Sequence, residues 1–281
     1  MKKRFLTAAL TFVFAATTAF SSFAFEEFNV WPGVAPGASN DDVKPTYEYW
    51  KPEKKTTDAC LVVCPGGAYN RLAYEHEGKK IAQFFNNQGV TVVVLKYRVP
   101  RPKNAPKHLA AWQDAQRTLR VVRSRAAEWK IDAEKIGILG FSAGGHLTLM
   151  TATSSQTPSY EAIDDVDKLP CHANFAIPVY PAYVIQGGEN GSNPGIRNKT
   201  DMVADFAFDD KTPPMCFIHG DADVCSSTGS IAVYSKLRKM NIPAELHIYA
   251  NAPHGFGGNP TDDHLGDWLN RVAAWMQASG F

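Results

Sequence analysis

The sequence has almost no net charge, and its basic residues do not gather into one region. The formal net charge is +1 over 281 residues. No basic stripe of the kind that binds nucleic acid is visible, and no polybasic patch suited to a membrane surface. We therefore expect neither nucleic acid nor, once a leader is removed, a membrane among the partners of this chain.

Cysteine is scarce, and its spacing suits neither a zinc site nor a framework of disulfides. The chain has five cysteines, so at least one thiol is unpaired in a monomer. Cys60 and Cys64 fall in the apparent strand ACLVVC, where four residues span about 13 Å. A disulfide needs Cα atoms within about 7 Å, which excludes this pair. We assign no disulfide, and no ligand spacing predicts a metal.

The first residues of the chain have the features of a leader. A basic start with Lys2, Lys3 and Arg4 is followed by an apolar stretch and by small residues up to Ala24. The apolar stretch is short for a membrane span of about 20 residues. This pattern predicts a secretory signal peptide over residues 1–24. An uncleaved anchor or a lipid anchor is the alternative, although no lipobox-like cysteine follows the apolar run. Starting from +1, loss of three positive charges leaves −2 on a secreted or periplasmic chain.

After the leader, short apolar runs alternate with amphipathic stretches. Helices are predicted over 76–89, over 108–130 as one long helix, over 227–241 and over 263–279. Strands are predicted at TYEYWKP, CLVVC, VTVVVLKY, KIGILG, NFAIPVY, PMCFIHG and AELHIYA. Alternation of this kind predicts a mainly parallel central sheet with helices on both faces.

No repeat and no linker divides the sequence after the leader. We therefore predict a single domain over residues 25–281. Residues 181–214, which contain GGENGSNPG, interrupt the alternation of strands and helices. This segment is either a small cap over a site or a surface insertion without function.

One serine stands between glycines where a strand meets a helix. Residues 140–144, GFSAG, fit the pattern G-x-S-x-G. They follow KIGIL and precede the helical GHLTLMTAT. Glycines there let two backbones cross closely, and the helix start supplies N–H groups near a developing negative charge. Ser142 is therefore a candidate nucleophile, and Ala143 a candidate donor to an oxyanion.

A serine nucleophile needs a base, and the base needs an orienting carboxylate. His254 follows the last predicted strand and is the candidate base. Asp221 and Asp223 both follow the strand before it. The pattern H-G-x-x-D favours Asp223 as the orienting acid, and Asp221 is then expected to bond within its own turn.

Two glycines follow the strand CLVVC in the segment CPGGAY. In a chain of this organisation, the turn after an early strand supplies the second donor to an oxyanion. We expect that donor to be the backbone N–H of Gly67 or Ala68, beside Ala143.

Other charged and histidine side chains are predicted to be structural. Arg98, Asp114 and Arg117 are expected to form a buried ion network beneath the site. His146 and His219 are expected to be packed. We interpret His76 and its acidic neighbours as a solvated helix start.

Together CPGGAY, GFSAGGH, HGDAD and PHGF resemble the α/β-hydrolase carbohydrate esterases, such as acetylxylan and feruloyl esterases. The resemblance extends over nearly the whole chain after the leader. It implies an α/β-hydrolase fold and the release of acetyl or feruloyl groups from plant polysaccharides outside the cytoplasm. Ser142, His254 and Asp223 would act without a cofactor. Many relatives follow the acid with Val-Pro, whereas this chain has Val224-Cys225, which alters the loop but not the catalytic pattern.

An acylated carbohydrate substrate makes Tyr69 and Tyr183 candidate binding residues, because sugars stack on aromatic rings; each could equally belong to the core. Two other functions stay open at this stage. A prolyl-oligopeptidase-like peptidase is one, although the chain has no room for a propeller domain. A non-catalytic carbohydrate-binding relative is the other, although all three catalytic residue types are present.

Overall fold

A computed structural model describes most of the chain after the predicted leader. The described residues are 25–39, 43–187, 199–259 and 264–281. The leader prediction, and the middle of the predicted cap or insertion, lie outside the described residues. No helix in the described ranges has the length and apolar character needed to cross a membrane.

Eight strands of the described chain form one sheet in the order β1-β2-β4-β3-β5-β6-β7-β8. Their bounds are β1 Phe25–Asn29, β2 Thr46–Trp50, β3 Cys60–Cys64, β4 Thr91–Lys96, β5 Ile136–Phe141, β6 Phe175–Val179, β7 Met215–Gly220 and β8 Ala244–Tyr249. Strands β3 to β8 run parallel, whereas β1 and β2 form an antiparallel edge.

Six α-helices are described around this sheet. They are α1 Lys80–Asn87, α2 Leu109–Ser124, α3 Ala126–Trp129, α4 Ala143–Thr153, α5 Thr228–Lys239 and α6 Trp268–Ala278. A π-helical turn, Glu75–Lys79, leads into α1. All seven predicted strands are present, and β1 is an additional one.

The single long helix predicted over 108–130 is wrong, because the chain breaks at Arg125. That residue has φ −96° and ψ 5°, outside the helical region. Lys130 then closes α3 in the left-handed conformation. Ala126 and Trp129 still face the same apolar core as α2. The three- and four-residue spacing of the apolar residues therefore continues across the break, so this spacing alone does not show that the helix ends.

Apolar side chains fill both faces of the sheet. Along β3, Cys60, Val62 and Cys64 contact the core beneath α2, α4 and α5. Leu61 and Val63 contact the core beneath α1 and α6. Burial on both faces explains why this strand is a continuous apolar run.

The predicted ion network forms only in part. Arg98 binds Asp114 with an N–O distance of 3.0 Å, and the Asp114 side chain is fully buried. Arg117 does not join them. It lies on the next turn of α2 and pairs with Asp164 at 2.6 Å and Asp167 at 2.9 Å.

The parallel strands bring four loops to one edge of the sheet. The carboxyl ends of β3, β5, β7 and β8 lie side by side there, because these strands run in the same direction. Ligands of open α/β sheets bind outside this edge. The segments 65–69, 142, 221–225 and 250–257 therefore meet at one place.

Candidate active site

Ser142 forms the bend between β5 and α4. Its φ of 52° and ψ of −114° are strained for a serine, at a cost of about 1–3 kcal/mol. Three backbone bonds hold the bend: the Ser142 N–H donates to the Val179 carbonyl at 3.1 Å, and its carbonyl accepts from Ala182 at 3.0 Å and His146 at 2.9 Å. The hydroxyl is thereby fixed at the rim of the sheet.

The glycines on either side of Ser142 are required by close backbone contact. A Cβ atom on Gly144 would lie 2.1 Å from the carbonyl oxygen of Cys64. A Cβ atom on Gly140 would lie 2.1 Å from the carbonyl oxygen of Gly144. The helix start can therefore cross β3 and β5 only where these side chains are absent.

The structure brings Ser142, His254 and Asp223 into one hydrogen-bonded chain. The distance from Ser142 Oγ to His254 Nε2 is 2.8 Å. His254 Nδ1 lies 2.8 Å from Asp223 Oδ1 and 2.9 Å from Oδ2. Because a carboxylate only accepts, Nδ1 carries a proton, and in the neutral imidazole Nε2 accepts from the serine hydroxyl.

Of the two candidate acids, Asp223 is the one that contacts His254. Its side chain is 1 % exposed, and Oδ1 also accepts from the Cys225 backbone N–H at 2.6 Å. Asp221 is exposed, and its backbone N–H donates to the Tyr249 carbonyl at 2.9 Å.

The surroundings of His254 favour its protonated form. Burial lowers the pKa of this imidazole, but hydrogen bonds to Asp223 and to the Cys225 thiol, with the nearby negative charge, raise the pKa above its ordinary value. A charged imidazole is the species that exists after it removes a proton from the serine. The site therefore stabilises that species.

His219 stays neutral beside the same carboxylate. Burial lowers the pKa of His219 to about 4. Its Nε2 donates to the Cys225 carbonyl at 2.7 Å, and its Nδ1 accepts from the Ser230 hydroxyl at 2.8 Å. His219 therefore fixes the loop that follows Asp223 without competing for its charge.

The loop after β3 is held in an unusual conformation. Gly67, Ala68 and Tyr69 all have positive φ, at 125°, 57° and 59°. A Cβ on Gly67 would lie 2.2 Å from the carbonyl oxygen of Arg71. In the described part of the chain, the N–H groups of Gly67, Ala68 and Ala143 donate to no protein acceptor. The predicted oxyanion donors are thus available.

Tyr69, a candidate binding residue, lies in the core beneath the site. It is fully buried, and its hydroxyl lies 2.9 Å from His146 Nδ1. Its ring stacks on Tyr183 with centroids 6.2 Å apart. Of the two alternatives for Tyr69, this burial favours the core, and contact with a substrate stays a prediction. Its ring supports Tyr183, which is 7 % exposed and has Lys107 Nζ 4.3 Å from its ring centroid.

Glu77 and Tyr180 are two residues of the site that the sequence analysis missed. Glu77 is 3 % exposed rather than part of a solvated helix start. Its carboxylate accepts from the Gly66 N–H and from the Tyr180 hydroxyl. The available signal was its spacing, three residues after Tyr74 and four before Ile81, which both face the core.

Three groups of possible metal ligands occur among the described residues, each with ligand atoms within 4.8 Å of one another. The groups are His108, His146 and Asp205; Cys216, Glu245 and His247; and Asp223, Cys225 and His254. In the third group, Asp223 and His254 already bond to each other, and His254 also bonds to Ser142. We assign a metal to none of these groups.

Sequence comparison identifies one matching family and relatives named as an esterase and a xylanase. Residues 48–179 match the BD-FAE family. An acetylxylan esterase of Xylanibacter ruminicola is 30 % identical over 258 residues, covering 84 % of this chain and 50 % of that protein. Endo-1,4-beta-xylanase B of Butyrivibrio fibrisolvens is 29 % identical, covering 71 % of this chain and 32 % of that protein. The chain thus spans half or less of these two relatives.

Solved structures match over nearly their full length. An acetyl ester-xyloside bifunctional hydrolase from Caldicellulosiruptor lactoaceticus has a TM-score of 0.77 at 27 % identity, covering 91 % of this chain and 97 % of that one. A propionate-bound esterase of Thermogutta terrifontis has a TM-score of 0.70 at 23 % identity, covering 91 % and 94 %. The predicted α/β-hydrolase fold and the resemblance to carbohydrate esterases are confirmed.

Proposed function

We propose that this chain, which has the α/β-hydrolase fold and is similar to an acetylxylan esterase, is a serine carboxylic ester hydrolase. Its substrates are acyl esters, above all acetyl esters, on plant polysaccharides or oligosaccharides. The observation that carries the proposal is the hydrogen-bonded chain from Ser142 through His254 to Asp223, with distances of 2.8 Å at both steps.

The first half of the proposed reaction forms an acyl-enzyme. Ser142 Oγ attacks the ester carbonyl carbon while its proton passes to His254 Nε2. Asp223 accepts from Nδ1–H and stabilises the charged imidazole. The carbonyl oxygen becomes an oxyanion that accepts from the backbone of Ala143 and of Gly67 or Ala68. Each such donor contributes about 3–4 kcal/mol to the transition state. The sugar hydroxyl leaves with the proton from His254.

The second half regenerates the enzyme. His254 takes a proton from water, and the resulting nucleophile attacks the acyl carbon on Ser142. The oxyanion forms again at the same donors and collapses, so that carboxylic acid is released and Ser142 regains its proton. The proposed cycle uses side chains and backbone of this chain and water, without a cofactor.

The choice of an acetylated glycan rests on what the relatives are named for. One is an acetylxylan esterase, and one structural neighbour is an acetyl ester-xyloside hydrolase. The predicted signal peptide fits a polymer substrate that does not enter the cell. We therefore propose action outside the cytoplasm, on an acylated carbohydrate.

The proposal is tested by release of free acid from a panel of substrates. Acetylated xylan, acetylated pectin and feruloylated oligosaccharides are compared, with wild type, Ser142→Ala and the control Ser279→Ala. Ser279 is exposed and follows α6, away from the site. We expect acetate release by wild type and the control, and none above background by Ser142→Ala.

The two alternative functions give different results when a proline-linked amide is added to this panel and binding of the glycan is measured beside it. A peptidase would cleave a proline-linked amide faster than an acetyl ester. A binding relative would release no acid from any substrate while retaining affinity for the glycan. Either result, or full activity in Ser142→Ala, contradicts the proposed esterase.

A further inference from the structure

One buried carboxylate joins the two loops that complete the site. Glu77 Oε2 accepts from the backbone N–H of Gly66 at 2.7 Å. Gly66 immediately precedes Gly67 and Ala68, the candidate oxyanion donors. Glu77 Oε1 accepts from the Tyr180 hydroxyl at 2.8 Å. That hydroxyl in turn accepts from the backbone N–H of Gly257 at 3.0 Å, in the loop that carries His254.

The direction of these bonds calls for a carboxylate. The Gly66 N–H can only donate, and the Tyr180 hydroxyl gives its one proton to Glu77 as it accepts from Gly257. Both oxygens of residue 77 must therefore accept. A glutamine would turn its amide N–H toward one of the two donors and lose that bond. A buried donor left unpaired costs about 1–3 kcal/mol.

The π-helical turn places Glu77 between the two loops. The Lys80 N–H bonds to the Glu75 carbonyl, a five-residue step that widens the helix at this point. The same turn holds the histidine loop by its backbone, since the His76 carbonyl accepts from the Gly258 N–H at 2.7 Å. A Cβ on Gly257 would lie 2.7 Å from that carbonyl oxygen, so the two segments are in direct contact.

Tyr180 also contacts the base itself. Its ring meets the His254 ring edge to face, with centroids 4.9 Å apart. Tyr180 is fully buried and follows β6 directly. A shift at Glu77 therefore reaches the oxyanion donors through Gly66 and the imidazole through Tyr180.

We propose that Glu77 is a positioning residue that fixes the oxyanion-donor loop relative to the His254 loop. This inference rests on the proposed function. Glu77 touches neither Ser142 Oγ nor His254 by a hydrogen bond, and it acts through Gly66 and Tyr180. Its effect falls on the tetrahedral intermediate and the transition states beside it, because the oxyanion and the charged imidazole are absent from the ground state.

The test compares Glu77→Gln with Glu75→Gln on an aryl acetate. Glu75 lies on the same turn, but its side chain is exposed and pairs with Lys79 at 3.7 Å. Rates are expressed per active site titrated with a serine-reactive phosphonate. We expect kcat of Glu77→Gln to fall about 10- to 100-fold, as for small misplacements of catalytic groups. KM should change less than about twofold, because acylation and deacylation share the oxyanion donors.

Tyr180→Phe provides a second variant that keeps the ring and removes the hydroxyl. It should lower kcat in the same way, because Glu77 and the Gly257 N–H both lose the hydroxyl that joins them while Gly66 retains its acceptor. The double variant should lose less than the product of the two single losses, since the residues act as a unit. If Glu77→Gln does not fold, the kcat and KM of Tyr180→Phe decide between a positioning role and a role in folding alone.

The remaining outcomes separate the inference from the proposed function. Wild-type kcat per titrated site in Glu77→Gln overturns the positioning role. So does a loss confined to the titratable fraction and the melting temperature, which would show a residue that only supports folding. A wild-type protein that does not hydrolyse the aryl acetate overturns the proposed function, and the inference with it.

Discussion

Neighbouring groups fix the backbone of Ser142 and the orientation of the His254 ring. Three backbone bonds hold Ser142 on its bend, and the carboxylate of Asp223 fixes the tautomer of His254. The sequence indicated these three residues because the motif, the order along the chain and the pattern H-G-x-x-D are local signals.

Replacing Asp223 by asparagine should lower kcat about 10⁴-fold, the size of loss that follows when the imidazole is held in the wrong tautomer. The matched control is Asp221→Asn, two residues away and exposed. It should keep kcat within about twofold, as exposed substitutions usually do. Steady-state hydrolysis of an aryl acetate measures both. An equal loss in Asp221→Asn would contradict the assignment of the acid.

The pH dependence of the reaction should follow the raised pKa of His254. The base must be neutral to take the serine proton, so kcat/KM is low below that pKa and rises as pH passes through it. Asp223 and Cys225 raise this pKa. The pH at which kcat/KM rises should therefore lie above the ordinary histidine pKa of about 6.5. Cys225→Ala should move the limb to lower pH. A rising limb below the ordinary value would contradict this account.

Glu77 shows where prediction from sequence ends at this scale. Its partners Gly66 and Tyr180 are 11 and 103 residues away along the chain. Helical spacing indicates that Glu77 faces inward, but nothing local indicates which donors it meets. Tyr69 is a similar case, because the sequence does not distinguish a tyrosine that lines a pocket from one that lies in the core.

Among the elements, the junction of β5 and α4 determines where the site forms. Gly140 and Gly144 allow the helix to start against β3, with Ser142 half-buried on the bend. Strands β3 and β5 were predictable because they are buried on both faces and form uninterrupted apolar runs. Strand β1 was not, because FEEFN at the antiparallel edge is mostly exposed. The break at Arg125 was missed because the apolar spacing continues across it.

Gly144→Ala should disrupt this junction. The added Cβ would lie 2.1 Å from the Cys64 carbonyl oxygen, so backbone must move. Overpacking of this kind costs about 1–3 kcal/mol or more. The control is Gly33→Ala, where a Cβ meets nothing within 4 Å. Chemical denaturation should show a lower midpoint for Gly144→Ala alone, with loss of esterase activity. Equal midpoints for the two variants would contradict the close crossing.

At the scale of the whole molecule, the sheet brings distant segments to one edge. The acid and the base follow β7 and β8, and the serine follows β5. The parallel alternation of strands and helices made this arrangement predictable, because βαβ crossovers place all carboxyl ends together. The two solved structures compared match the fold of this chain over 97 % and 94 % of their length.

Residues 25–281 should suffice for folding and activity, although the chain spans only half of the acetylxylan esterase that it matches. We expect the chain without residues 1–24 to unfold in one cooperative thermal transition, because one sheet connects all of its described strands. Hydrolysis of an aryl acetate should disappear over the same temperatures. Two separate transitions in calorimetry would contradict a single domain.

The central claim is that Ser142 carries the acyl group during turnover. The most direct measurement is rapid acid quenching of the enzyme during hydrolysis of an acetyl ester, followed by peptide mass spectrometry. The account predicts an acetyl group on the peptide containing Ser142, and none in Ser142→Ala. Acetate release at the wild-type rate by Ser142→Ala, or an acetyl group on another residue that turns over at the catalytic rate, would contradict it.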